Sequence, residues 1–269
     1  MAYLELPDGV PMYYEEYGAG RPVILIHGWT MNGTFWAGNV PALADSHRVI
    51  VVDLRGHGRS GKTPEGHNLA QYARDLRAVM QALTLTDATL VGWSMGTAVI
   101  WSYVRQFGCE GLRSVSFIDQ SPRFLDEPGW DFPLRGGYTT TDLTVFAQHL
   151  RYARPSVIKP FIEACFASPP SAEAIDGAYA QTTLTPTDAA LSIWMDMAHA
   201  DHRPVLREVT VPALLIHGAQ SKIFPGDLVG WLADALPNAE ALRFENSGHA
   251  PFVEEPEKFN AALTGFLKR

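Results

Sequence analysis

Leu90-Val91-Gly92-Trp93-Ser94-Met95-Gly96-Thr97 sets a serine between two glycines at the point where one periodicity gives way to another. Upstream, residues 88–91 are a short apolar run suited to a buried strand. Downstream, Ala98, Val99, Ile100, Trp101, Tyr103, Val104 and Phe107 make a helix that is apolar on nearly every side, and Gly108 can stop it. Ser94 therefore belongs on a tight strand-to-helix bend. Without a Cβ at 92 and 96, strand and helix can pass close together while the serine holds a strained backbone with its hydroxyl pointing out.

The chain on either side repeats this alternation. Residues 3–17 alternate around Pro7-Asp8-Gly9, which predicts an opening hairpin at a sheet edge. Residues 22–26 are continuously apolar, as in a strand buried on both faces, and run into His27-Gly28-Trp29. A strand over 47–54 leads into Asp53-Leu54-Arg55-Gly56-His57-Gly58-Arg59-Ser60, whose alternate glycines predict a tight loop with Asp53, Arg55 and His57 as scaffold. Leu69, Tyr72, Ala73, Leu76, Val79, Met80 and Leu83 mark a one-faced helix, with Asn68 and Gln71 resembling a capping box. Residues 114–119 are the next strand. From 120 to about 204 no sheet strand is evident; helices are predicted over 141–151, 156–166, 171–181 and 186–199, with breaks such as Ser168-Pro169-Pro170-Ser171. A strand over 211–218, a helix over 227–236, a strand over 241–244 and a helix over 256–267 close the chain. Such strand–helix alternation predicts a mainly parallel α/β sheet with crossover helices.

Composition narrows the function. The chain has 269 residues, 46% hydrophobic and 19% charged, enough to bury a large core without a disorder signature. A net charge of -8 and the lack of a lysine–arginine run argue against nucleic acid. Cys109 and Cys165 read as free thiols. The start, Met1 to Gly9, lacks a positive region followed by a long apolar one, and no segment reaches the ~18 apolar residues of a membrane span, so a cytoplasmic enzyme is expected. No metal or organic cofactor is expected, since His199-Ala200-Asp201-His202 is the nearest approach to a ligand cluster and reads as a capping and hinge segment. The sequence does not give an oligomeric state.

With its Gly-x-Ser-x-Gly turn, its Asp-x-Arg-Gly-x-Gly-x-Ser loop, and Ser247-Gly248-His249 just before a final helix begun by Pro256, the whole chain resembles the α/β-hydrolase superfamily. The resemblance implies a core of residues 1–121 and 205–269 with a helical cap over 122–204. It implies Ser94 as nucleophile and His249 as general base. The backbone N–H groups of Trp29 and Met95 would be the oxyanion donors, while His27 reads as a residue that orders its loop.

The third member of such a triad departs from the family pattern. The acid most often stands three residues after the glycine that ends the strand over 213–218, and here that residue is Ser221. Some branches take it from the strand that follows the nucleophile helix, which ends here at Asp119; Asp201, Asp227 and a dyad without acid remain as alternatives. Adjacent parallel strands lie about 4.8 Å apart, so a carboxylate at that tip can approach the same imidazole. The expected activity is hydrolysis of small to medium apolar carboxylic esters through an acyl-enzyme, with Trp93, Trp130, Tyr138 and Trp194 lining the substrate pocket. Lactone hydrolysis, carbon–carbon bond hydrolysis and perhydrolysis use the same triad, and a non-catalytic small-molecule receptor shares the fold.

Overall fold

The apolar runs assemble into one eight-stranded sheet in the order β1-β2-β4-β3-β5-β6-β7-β8. The structure is a computed structural model that describes residues 2–269. β1 (Ala2–Glu5) and β2 (Pro11–Tyr17) pair antiparallel at one edge. Their turn is closed by Gly9 N–H donating to Leu6 O at 2.8 Å and Leu6 N–H donating to Val10 O at 2.9 Å. β3 (Arg21–Ile26), β4 (His47–Val52), β5 (Ala88–Trp93), β6 (Leu112–Ile118), β7 (Ala213–Gly218) and β8 (Ala239–Phe244) are mutually parallel. Their tips therefore share one end of the sheet, where ligands of open α/β sheets bind.

The helices are α1 (Val40–Ala44), α2 (Leu69–Ala82), α3 (Met95–Phe107), α4 (Thr140–Tyr152), α5 (Arg154–Ala164), α6 (Ala172–Thr182), α7 (Thr187–His199), α8 (Leu228–Ala235), α9 (Pro251–Glu254) and α10 (Pro256–Leu267). α3 is buried along its first ten residues, which is why its sequence lacks a polar face. α2 buries Leu69, Tyr72, Ala73, Leu76, Val79 and Met80. Its start differs from the predicted capping box. Asn68 accepts from Gln71 N–H at 2.8 Å, but the Gln71 amide donates to Asp75 at 2.8 Å instead of reaching back, so only half of the box forms. Between β6 and β7 an irregular segment is followed by four helices, α4 to α7, close to their predicted bounds. α4 has a complete capping box, Thr139 with Asp142.

Candidate active site

The bend after β5 is as strained as its sequence implies: Ser94 has φ 52° and ψ −118°, a region non-glycine residues rarely occupy. Neighbouring atoms leave no alternative to glycine on either side. A Cβ on Gly92 would lie 2.5 Å from the Gly96 carbonyl carbon, and one on Gly96 would run into the Ile26 carbonyl oxygen. Strand and helix are thus pressed together, and the serine is lifted from the turn at the start of α3. Met95 is the first residue of α3, where a helix leaves its N–H groups without intrahelical acceptors. Trp29 follows β3, the strand next to β5, in the loop that the Gly96 contact brings against α3.

Register decides which side chains meet at the next tips. Trp93 pairs with Ile118 and Ile118 with Ile216, so Ser94, Asp119 and His217 emerge side by side from β5, β6 and β7. Asp119, like Ser94, has a positive φ, 45°. His249 comes from the loop between β8 and α9. Its Nδ1 lies 2.6 Å from Asp119 Oδ2 and its N–H donates to Cys165 O at 2.8 Å. The Trp93 indole donates to His249 O at 2.8 Å, so the residue beside the serine braces the loop that carries the imidazole. No hydrogen bond joins Ser94 to His249 among the described residues. The serine hydroxyl instead lies 3.5 Å from Gln120 Oε1.

Asp119 is held from three sides. Besides His249, Ser221 donates its hydroxyl to Oδ2 at 2.7 Å, and His217 Nδ1 stands against Oδ1. Burial raises the carboxyl's pKa, but the charge of His217 and the hydrogen bond with His249 outweigh it, and Asp119 lies well below the usual carboxylate range. Asp201 and Asp227 are engaged elsewhere: Asp201 with Arg203 at 2.7 Å, and Asp227 at the N-terminus of α8, accepting from Gly230 N–H at 3.2 Å.

The Asp53 loop is bound up internally. Asp53 accepts from the N–H groups of Gly33 and Arg59, both at 2.7 Å, and Arg55 makes a two-pronged pair with Asp75 at 2.7 and 2.8 Å. His27 Nε2 accepts from Leu54 N–H at 3.0 Å, so the neutral ring carries its hydrogen on Nδ1, 2.8 Å from Gly28 O. Among the described residues no group of three His, Cys, Asp or Glu side chains could hold a metal ion, and both cysteines are free.

Residues 21–256 match the family described as alpha/beta hydrolase fold. The chain belongs to that family. It is 30% identical to a non-heme chloroperoxidase, CPO-A1, from Kitasatospora aureofaciens, over 97% of this chain and 98% of that one. It is also 30% identical to a pimeloyl-[acyl-carrier protein] methyl ester esterase from Vibrio cholerae, over 96% and 98% of the two chains. Among solved structures, an esterase from Exiguobacterium antarcticum superposes with a TM-score of 0.93 at 27% identity, covering 100% of this chain and 99% of that one.

The aromatic residues expected at the pocket divide into two groups. Trp194 of α7 stacks on Phe146 at 4.5 Å and packs on Trp29 at 4.6 Å, and its indole donates to the Tyr138 hydroxyl at 3.2 Å. This group joins the helices over residues 140–199 to the loop after β3. Trp130 is not part of it. Its ring packs on Phe132 and on Trp231 of α8 at 4.9 Å, under the Arg203 guanidinium, and its indole donates to Arg123 O at 3.0 Å. An aromatic in an irregular segment can pack toward either neighbour, and Trp130 lies against α8. Trp93 is a brace between β5 and the His249 loop, its ring against Phe35, His249 and Phe252. Sequence reasoning passed over Gln120, His217 and the bond from Ser221. The available signal was that His217-Gly218 ends its parallel strand as His27-Gly28 follows β3, beside the suspected acid.

Proposed function

We propose that the protein is a serine-dependent carboxylic ester hydrolase working through an acyl-enzyme, with Ser94, His249 and Asp119 as its triad. The single observation that carries this reading is the buried His249–Asp119 pair, with Nδ1 2.6 Å from Oδ2, braced through Trp93 to the residue next to a strained serine. Asp119 fixes the tautomer in which Nδ1 bears the hydrogen and Nε2 is free to accept, and it stabilises the imidazolium once formed. Ser94 Oγ turns from Gln120 to His249 as the ester binds; such bonds are often unaligned before substrate arrives. Oγ then attacks the carbonyl carbon while its proton passes to Nε2. The carbonyl oxygen becomes negative facing the Trp29 and Met95 N–H groups. The tetrahedral adduct collapses, the C–O bond to the alcohol breaks, and the alcohol leaves with the proton from His249. Water, deprotonated by the same imidazole, repeats the sequence and releases the acid.

Helices α4 to α7 serve as a cap over the strand tips, and Trp29, Tyr138, Phe146 and Trp194 favour small to medium apolar esters. The alignment with a protein named non-heme chloroperoxidase favours one second reading, perhydrolysis, in which hydrogen peroxide takes the place of water in the second half-reaction and a peracid leaves. Incubation with p-nitrophenyl esters of increasing acyl length and with a serine-directed phosphonate tests the main reading. It requires a burst of p-nitrophenol and labelling at Ser94, both lost in Ser94→Ala. Turnover that survives in Ser94→Ala refutes it. Peracid formed from acetate and peroxide, faster than p-nitrophenyl acetate is hydrolysed, would promote the second reading.

A further inference from the structure

Asp119 has more partners than an acid serving one imidazole requires. Its side chain is 0% exposed, and an ionised carboxylate in that position needs donors or a countercharge on both oxygens. His249 and Ser221 both occupy Oδ2. What stands at Oδ1 is His217 Nδ1, in ion-pair contact but off the line of a hydrogen bond, so that neither atom has an aligned partner. The second torsion of an aspartate is broad and soft. Two donors hold Oδ2, and a charge against Oδ1 adds the restraint that the other oxygen otherwise lacks.

The surroundings of His217 specify what it can be. From β6 it faces Asp119; from the loop before α8, the Gly226 carbonyl; from β8, Arg243, its partner in register; from α8, the apolar Leu228, Val229 and Leu232. A carboxylate set against Nδ1, beside an apolar wall from α8, favours a ring that carries the countercharge. We propose that His217 is a positioning residue: an imidazolium set against Oδ1 of Asp119 that keeps Oδ2 turned to His249. The proposal rests on the reading of Asp119 as the triad acid. Burial lowers the His217 pKa, but the charge of Asp119 prevails and raises it, which agrees with the ion-pair contact.

The sign of the effect follows. A cation on Oδ1 draws part of the field that Asp119 exerts on its other partners, and removing it leaves that field to the ring on Oδ2. In His217→Gln, which keeps a donor and loses the charge, the acid limb of kcat/KM should move to higher pH by about one unit. kcat should fall about 10- to 100-fold, the range lost when an outer partner that orients a functional imidazole is removed, with KM little changed. His217→Leu should show the same shift with a larger fall in kcat. A packing role alone would lower Tm and leave the pH profile in place. Independently of any variant, nitrogen-15 NMR of the intact wild-type protein at pH 7 should find both His217 ring nitrogens protonated. A neutral ring overturns the proposal, as does a His217→Gln enzyme with wild-type kcat and profile. Ser94→Ala and Asp119→Asn run alongside: if both are inactive while His217→Gln is unaffected, only the role of His217 falls. If Asp119→Asn is fully active, the hydrolytic triad falls and the role of His217 with it.

Discussion

Asp119→Asn changes almost no volume, yet it removes the charge that faces His249 and offers an amide in place of an acceptor. With Nδ1 2.6 Å from Oδ2, the charge centres of ring and carboxylate stand about 4 Å apart, and at an effective dielectric near 20 that pair is worth about 4 kcal/mol once the imidazolium forms. At about 1.36 kcal/mol per decade this is ~10³ in kcat, and loss of the correct tautomer takes the total toward the ~10⁴ found when an aspartate of a serine triad is changed to asparagine. The assay is single-turnover acylation by a p-nitrophenyl ester, with Tm and circular dichroism to establish that the sheet persists. The exchange Asp119→Ser with Ser221→Asp extends the argument, because Ser221 Oγ lies 2.7 Å from the oxygen that serves His249. An aspartate at 221 should recover at least about tenfold over Asp119→Ser alone, by reaching the same imidazole from the loop after β7. Asp119→Asn retaining kcat within about tenfold of wild type would refute the reasoning.

Other perturbations have equally definite outcomes. Gly96→Ala drives a methyl into the Ile26 carbonyl; it should lose about 3 kcal/mol in urea unfolding, with slower phosphonate labelling of whatever remains folded. His202 is buried beside Trp101 with both ring nitrogens unpaired, so His202→Phe should stabilise the protein by about 1 kcal/mol. The gain should grow on acidification. Burial and the charge of Arg105 hold His202 down to about 3, so below the unfolded value of about 6.5 the unfolded chain binds a proton that the native state refuses, and native stability falls until the pH nears the folded value. Tm measured from pH 7 to 4 should therefore decline less steeply in His202→Phe than in wild type. Trp194→Ala removes a ring stacked on Phe146 and packed on Trp29. It should lose about 3 kcal/mol of stability and raise KM for the longer acyl esters more than for acetate, and a uniform change along the acyl series would contradict a pocket bounded by this group.

Local chemistry made much of this protein legible in its sequence. Glycines at 92 and 96 permit the close approach of β5 and α3, and continuous apolar runs at 22–26 and 213–216 can be buried only within a sheet covered on both faces. The four helices between β6 and β7 were readable from their spacing and their Pro-rich breaks. Each of these signals is carried by residues close together in the chain, whatever they later meet. What was not legible turned on which of several partners a side chain takes. Gln71 abandons the capping box because Asp75, one turn on, offers its amide a partner already fixed by Arg55. Likewise, that Trp130 packs on Trp231 of α8, from a distant part of the chain, follows from no local pattern.

The amino-acid order by itself determined the strand–helix alternation, the strained serine and a histidine placed near the end of the chain, because those follow from sterics and periodicity within a few residues. Which carboxylate meets that histidine was decided only by tertiary structure. Parallel register sets Asp119 beside His217, with Ser221 of the following loop on the oxygen that meets His249, and register is a property of paired strands: a shift of one residue would turn His217 to the opposite face.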